Sequence, residues 1–156
     1  MTRWYLTHLP VRVGGERRPR WDVDHVYFDW QRGLLDVMVL HGGWSWPLLP
    51  FGPGVEIRDR EVWIADPSLV VRSAKDKLRR ARGEDWDGRP CTDARGHTLG
   101  RVRDVEFQED SGEVCAVWIS RGVLADVWHG MWLADFHHLQ RVDDRIALVS
   151  GGNAPE

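Results

Sequence analysis

An internal repeat constrains the fold more than any other feature of the sequence. Residues 23–28 (VDHVYF) align with residues 102–107 (VRDVEF) at an offset of 79, and three apolar positions are identical. The same offset places Gly33 on Gly112. A repeat of this length predicts two similar units rather than one core assembled from the whole chain.

The offset rises from 79 to 84 after five extra residues in the second copy. At the new offset residues 59–64 (DREVWI) align with residues 143–148 (DDRIAL), and in both stretches three charged residues precede three apolar ones. It also aligns two further pairs of apolar residues: Trp44 with Trp128, and Leu49 with Leu133. We therefore expect both copies to form the same elements in the same order.

Apolar residues in each copy occur in short runs separated by turn residues, a pattern typical of β-strands. Hairpin turns are predicted at residues 30–33 and 109–112, where a final glycine supplies the positive φ. Shorter strands are predicted near the end of each copy, at residues 56–58, 62–65, 139–142 and 146–149. This pattern predicts a small antiparallel barrel or sandwich in each copy.

A short basic helix is predicted between the copies. Asp66 is a favourable N-cap, and Pro67 suits the first helical position. Residues 67–82 then carry apolar side chains on one helical face and basic side chains on much of the remainder. As an alternative, residues 69–71 (LVV) extend the preceding strand. Residues 83–93 have the composition of a polar linker.

These elements divide the 156 residues into four parts. We predict a first repeat at 1–65, a helix and linker at 66–93, a second repeat at 94–150 and a frayed tail at 151–156. About 60 residues per repeat is close to the smallest size at which a domain folds alone. The prediction is a mainly β protein of two small antiparallel barrels, packed together or swapped in a homodimer.

The second copy resembles the opening hairpin of a PRC-barrel domain. The resemblance is carried by residues 96–107 (GHTLGRVRDVEF) and 111–119 (SGEVCAVWI). The first copy is similar over residues 23–33, but it has Arg17 and Trp21 where the second copy has glycines. The shared motif consists of turn glycines and core positions, so it indicates a fold rather than a chemistry.

The resemblance covers about residues 15–65 and 94–150, and it implies a stand-alone tandem PRC-barrel protein. The family includes a ribosome maturation factor of the small subunit, the H subunit of purple-bacterial reaction centres and many small prokaryotic proteins. Its barrels usually act as docking surfaces and share no catalytic residue. The resemblance therefore implies a non-catalytic adaptor or scaffold for a macromolecular partner, with no cofactor.

Tryptophan dominates the aromatic residues, with 10 Trp against 4 Phe and 2 Tyr. Several lie in residues 42–54 (GGWSWPLLPFGPG) and the matching residues 128–133 (WHGMWL). Such stretches either pack within the barrels, between copies or across a dimer, or form a binding surface, where Trp is enriched. We assign protein-partner contacts to five aromatic residues: Trp44, Trp46, Phe51, Trp128 and Trp132.

RNA or ribosome binding through the basic helix is the second hypothesis. The phosphate contacts would come from five basic residues: Arg72, Lys75, Arg79, Arg80 and Arg82. Alternatively this face is solvated, or pairs with residues 91–156, which carry six basic and eleven acidic side chains. Because that pairing needs no RNA, we favour a protein partner.

A metal-dependent enzyme is the third hypothesis. Five side chains of metal-ligand type occur within residues 126–138: Asp126, His129, Asp135, His137 and His138. Neighbouring residues on a strand point to opposite faces, so His137 and His138 would not share an ion if that segment is extended. Because no nucleophile motif accompanies them, we predict neither a metal site nor a catalytic residue.

The sequence has no run of roughly 18 apolar residues of the kind that spans a membrane. Its beginning lacks the apolar core of a secretory signal. The two cysteines, Cys91 and Cys115, do not form a CxxC motif. We expect a cytoplasmic protein without membrane insertion, in which both cysteines are reduced.

Overall fold

The computed structural model describes residues 1–44, 46–71 and 85–149 of the chain, and for Trp128 the backbone alone. The chain divides into two compact units. The first consists of Met1–Asp85 together with Phe107–Glu113, and the second of Trp86–Glu106 and Val114–Glu156. The turn of the second repeat's hairpin therefore belongs to the first unit.

The first repeat forms one short helix and one six-stranded sheet. Its elements are α1 (Arg3–Leu6), β1 (Pro10–Val13), β2 (Trp21–Asp29), β3 (Leu34–His41), β4 (Leu48–Pro50), β5 (Val55–Arg58) and β6 (Glu61–Ile64). The strand order is β4-β3-β2-β1-β6-β5. Strand β1 pairs with β6 in parallel, and the other neighbours in this sheet are antiparallel.

The second repeat forms a six-stranded sheet with the same topology. Its elements are β7 (Pro90–Thr92), β8 (Thr98–Phe107), β9 (Val114–Ser120), α2 (Val123–His129), β10 (Trp132–Asp135), a 3-10 helix (Phe136–His138), β11 (Leu139–Val142) and β12 (Arg145–Leu148). The order β10-β9-β8-β7-β12-β11 repeats that of the first sheet, and β7 pairs with β12 in parallel. The described residues are thus mainly β. Each repeat contains the four predicted strands together with two that were not predicted, the first and the fourth.

Both predicted hairpin turns are confirmed. Gly33 follows β2 with a φ of 61°, and Gly112 precedes β9 with a φ of 72°. At Gly112 a second constraint applies, because a Cβ atom would lie 2.7 Å from Cε1 of Phe51. Glycine is the residue that meets both constraints, since it has no Cβ and adopts positive φ without strain.

The pairing of β10 corrects the sequence alignment by one residue. Leu49 pairs with Met38 in the first sheet, and Ala134 pairs with Val117 in the second. Met38 and Val117 are 79 residues apart, so the counterpart of Leu49 is Ala134 rather than Leu133. Burial agrees, because Leu49 and Ala134 are both buried whereas Leu133 is half exposed. The connection before β10 is therefore six residues longer than its counterpart.

The extra residues of the second repeat form helix α2, which was not expected from the sequence. Trp44 lies in a turn after β3, whereas the aligned Trp128 lies within α2. The two tryptophans therefore do not occupy equivalent positions. No helix in the described part of the chain combines the length and the apolar composition needed to cross a membrane.

The predicted N-cap after the first repeat is confirmed, but the helix that follows is short. The Asp66 carboxylate accepts a hydrogen bond from the Ser68 backbone N–H at 2.7 Å. This hydrogen bond lowers the pKa of Asp66 below its usual value. The helix is a single 3-10 turn, Pro67–Leu69.

The prediction of one continuous helix over residues 67–82 is wrong at Val70 and Val71. Val70 is extended, and Val71 forms an antiparallel bridge with Leu48 at the edge of β4. β-branched residues favour extended backbone, and the open edge of β4 offers them backbone partners. The alternative, that residues 69–71 extend the preceding strand, is also not what forms, because Leu69 ends the 3-10 turn and Val71 pairs with β4 rather than continuing β6. Residues 72–84 lie outside the described residues.

Part of the segment predicted as a linker, residues 83–93, contributes to the second unit's core. Trp86 is fully buried, and its ring stacks on Phe136 at a centroid distance of 6.0 Å. Cys91 lies on β7 and is also buried. Burial raises the pKa of the Cys91 thiol to about 11, so the residue stays protonated at neutral pH.

Replacing Gly112 with alanine is expected to lower the free energy of unfolding by about 2 to 4 kcal/mol. The left-handed backbone contributes about 1 to 2 kcal/mol, and the contact with Phe51 adds an overpacking cost of about 1 kcal/mol or more. Urea denaturation followed by tryptophan fluorescence measures the loss.

Gly43→Ala is the matched control. Gly43 has a similar φ of 69°, but no described atom lies within 4 Å of an added Cβ. We expect the control to lose the backbone contribution alone, about 1 to 2 kcal/mol. Equal losses in the two variants would contradict the packing of Phe51 on Gly112.

Candidate protein-interaction surfaces

Helix α2 is held against the end of β9 by one acidic side chain. The Asp126 carboxylate accepts hydrogen bonds from the Ser120 hydroxyl and, at 3.0 Å, from the Arg121 backbone N–H. The Ser120 hydroxyl oxygen also accepts a hydrogen bond from the Gly122 backbone N–H at 3.1 Å. Because Ser120 is buried, its hydrogen bond with Asp126 is partly shielded from water. The acidic residue of α2 therefore faces its own unit.

Three apolar side chains of α2 are exposed instead. Val123, Leu124 and Val127 are 76%, 80% and 77% exposed. Met131 and Leu133, which follow the helix, are about half exposed. An ordinary surface helix buries its apolar stripe and exposes its polar residues, so α2 has the reverse arrangement. We call residues 123–133 the apolar segment.

Clustering distinguishes the apolar segment from ordinary surface apolar residues. Single exposed apolar side chains are common on soluble proteins, whereas contiguous ones mark interaction sites. Five of the strongly exposed apolar residues lie within 11 consecutive positions of the chain. The segment is therefore the best candidate for a binding surface in the second unit.

The first unit exposes two of the predicted aromatic residues. Trp44 is fully exposed, and Trp46 is half exposed with its ring 4.7 Å from that of His41. Both side chains are available to a partner. Their assignment as partner contacts stays a prediction.

Phe51 has a packing role in the first unit. Its ring lies against Gly112, and its backbone N–H donates to the Asp36 carbonyl at 2.9 Å. It also lines an open cleft of about 460 Å³ together with Arg32 and Asp110. The Phe51 side chain is half buried, so only part of it is available to a partner.

The two aromatic residues that were predicted to contact a partner in the second unit are four positions apart in the sequence. Trp128 belongs to α2, and its side chain lies outside what the structure describes. Trp132 begins β10, pairs with Ile119 and is half buried. Its indole Nε1 is buried, and no described residue provides a hydrogen-bond partner for it.

The His and Asp residues at 126–138 do not converge on one point. Asp126 accepts from Ser120, and Asp135 accepts a hydrogen bond from the His137 backbone N–H at 2.9 Å. The segment of His137 and His138 is a 3-10 helix rather than a strand. Among the described residues, no group of three or more His, Cys, Asp or Glu side chains is placed to hold a metal ion.

The basic residues proposed to contact RNA lie in the segment 72–84, outside the described residues. They are Arg72, Lys75, Arg79, Arg80 and Arg82. RNA binding therefore stays a prediction from the sequence.

A polar cluster in the first unit was not anticipated from the sequence. His25 Nε2 lies 2.8 Å from an Asp85 carboxylate oxygen, and the His25 and Tyr27 rings are 5.5 Å apart. Burial, with the nearby charges of Asp85 and Asp24, raises the pKa of Tyr27. The Tyr27 phenol is therefore protonated at neutral pH and does not serve as a base.

Sequence reasoning also missed the outward-facing residues of the apolar segment. Their spacing carries a signal, since Val123, Leu124 and Val127 fall on one helical face between Gly122 and Gly130. Comparison with known proteins finds no matching family model and no matching curated protein. The exposed surfaces are therefore the guide to function.

Asp126→Ala is expected to lower the free energy of unfolding by about 1 to 3 kcal/mol, because it leaves the buried Ser120 hydroxyl without its acceptor. The matched variants are Ser120→Ala and the double variant. The double variant should be more stable than the sum of the single losses implies, by about 1 kcal/mol. Strictly additive losses in urea denaturation would contradict the anchoring of α2 by this pair.

Proposed function

We propose that the chain is a non-catalytic adaptor, built from two PRC-type barrels, that binds a protein partner through the apolar segment. The observation that carries the proposal is the orientation of α2. Its acidic residue is hydrogen-bonded within the unit, and Val123, Leu124 and Val127 are exposed. Exposed apolar side chains do not stabilise the free chain. A partner that covers the segment removes apolar surface from water, and this burial favours binding.

The free energy of burying apolar side chains indicates how many of them the contact must include. Complete burial of Val123, Leu124 and Val127 contributes about 5 to 9 kcal/mol, at about 1.5 to 3 kcal/mol each. Association itself costs about 4 kcal/mol or more. The three side chains of α2 therefore support at most weak binding, and a stable complex needs Met131 and Leu133 as well.

The two sheets support the tandem part of the proposal. Both have the same strand order and the same parallel pairing of their first and last strands. Two copies of one topology are what a tandem PRC-barrel protein requires. The PRC-type barrel, the basic helix that joins the two copies, contacts by Trp44 and Trp46, and a cytoplasmic location belong to the proposal.

The test is purification of the native protein with its bound partner, followed by mass spectrometry and reconstitution from purified components. Wild-type chain should retain the partner. The double variant Leu124→Asp with Val127→Asp should bind the purified partner at least about tenfold more weakly, a change of about 1.4 kcal/mol. Both positions are exposed, so circular dichroism should show unchanged folding.

Val142→Asp is the matched control, because Val142 is an exposed apolar residue of the same unit that lies on β11 rather than on α2. It should retain wild-type affinity. The proposal fails if native protein carries no partner, or if both sets of substitutions weaken binding equally.

A further inference from the structure

The two repeats differ in how they complete one edge of the sheet. In the first sheet the outer edge of β4 is covered by a segment of the chain itself. The Leu48 backbone N–H donates to the Val71 carbonyl at 3.0 Å, and the Val71 N–H donates to the Leu48 carbonyl at 2.8 Å. Leu48 is consequently only 3% exposed.

Strand register identifies the counterpart of Leu48 in the second sheet. Leu48 pairs with Val39, and Leu133 pairs with Trp118. Val39 and Trp118 are 79 residues apart, the offset of the repeat. Leu133 therefore occupies the position of Leu48, yet it is 47% exposed.

The positions nearest this edge are apolar in both copies, and further in Glu106 stands where the first sheet has Tyr27. In the first sheet Val37, Val39 and Leu48 form a buried cluster against which Tyr27 and Val71 pack. In the second sheet the matching position of β9 is Trp118, which is half buried beside Leu133. Strand β10 is the sheet's edge, and its outer side pairs with no strand among the described residues.

We propose that the outer edge of β10 accepts an extended apolar peptide segment of a protein partner as a seventh strand. The inference rests on the proposed adaptor function and specifies its mode of binding. The peptide takes the place that Val71 takes in the first sheet. Its backbone bonds to the N–H and carbonyl of Leu133, and an apolar side chain packs on Trp118 and Leu133. Strand addition of this kind obtains affinity from backbone bonds and specificity from alternate side chains.

The dimensions of the surface favour a peptide over a second copy of this chain. Strand β10 has four residues and α2 has seven. These correspond to lengths of about 14 Å and about 10 Å. A stable interface between folded proteins takes about 20 to 30 residues from each side, more than the eleven residues of β10 and α2 together. One extended segment, by contrast, covers β10 completely.

The edge of β10 at Leu133 also defines the chemistry of the peptide that it would accept. The residue opposite Leu133 must carry a backbone N–H, so proline is excluded there. Its side chain should be apolar and β-branched, as Val71 is, because it lies on a half-buried pleated surface. A synthetic peptide with blocked ends and the sequence of residues 66–73 (DPSLVVRS) meets these requirements.

Titration of the full-length ¹⁵N-labelled chain with this peptide tests the proposal. The largest amide shift changes should occur at Leu133 and its neighbours on β10 and β9. Leu133→Lys should weaken binding at least about tenfold, because a lysine on an edge strand opposes strand addition. Val142→Lys, on the opposite edge strand of the same sheet, should stay within about twofold of wild type.

A peptide with proline at the position of Val71 separates backbone pairing from apolar contact. It lacks the N–H that donates to Leu133, so it should bind at least about tenfold more weakly than the parent peptide. Shift changes that centre on β4, or no saturable binding, would overturn the proposal. So would a concentration-dependent dimer whose interface shifts map to β10, because a second copy would then be the occupant.

Failure of the proposal is distinguishable from failure of the adaptor function. A native partner that is released by Leu124→Asp with Val127→Asp, but binds Leu133→Lys at wild-type affinity, would keep the adaptor and exclude strand addition. Absence of any native partner would remove the adaptor function. The peptide titration would then decide separately whether β10 accepts a strand.

Discussion

The parallel pairing between the first and last strands of each repeat is the constraint on which the rest of the structure depends. Val11 pairs with Val62 in the first sheet, and Cys91 pairs with Ile146 in the second. All four residues are buried. Each pairing joins two antiparallel ribbons into one six-stranded sheet. The residues that it pairs are more than 50 positions apart in the sequence. It also determines which strands are edges: β4 and β5 in one sheet, β10 and β11 in the other.

An edge strand presents unpaired backbone groups, and the two repeats differ in how they satisfy them. The first repeat uses Val71, which pairs with Leu48 and completes an apolar cluster on the outer face of the sheet. In the second repeat the equivalent Leu133 is half exposed, and it is preceded by a helix on which Val123, Leu124 and Val127 are exposed. The same topology therefore gives an edge strand that Val71 covers in the first copy and an edge strand that is a candidate binding site in the second.

The sequence predicts the strands well where the signal is local. Gly33 and Gly112 have the positive φ expected of hairpin turns, and the terminal strand pairs lie close to their predicted bounds. Strands β1, β4, β7 and β10 were not predicted. Each has only three or four residues, too few to show a period of two, and none is joined to a partner by a two-residue turn as β5 and β11 are. The helical prediction failed at Val71 because pairing with β4 outweighs the local propensity.

The candidate surface was harder to predict from the sequence than the fold. Aromatic composition drew attention to Trp44, Trp46 and Trp132, whereas Val123, Leu124 and Val127 on α2 are aliphatic. Their exposure depends on Asp126 bonding inward to Ser120, a contact that spacing does not reveal. Amide hydrogen exchange of the free chain, read at Leu48 and Leu133, tests the central claim most directly. We expect strong protection at Leu48 and rapid exchange at Leu133, and equal protection at the two positions would contradict an open edge in the second repeat.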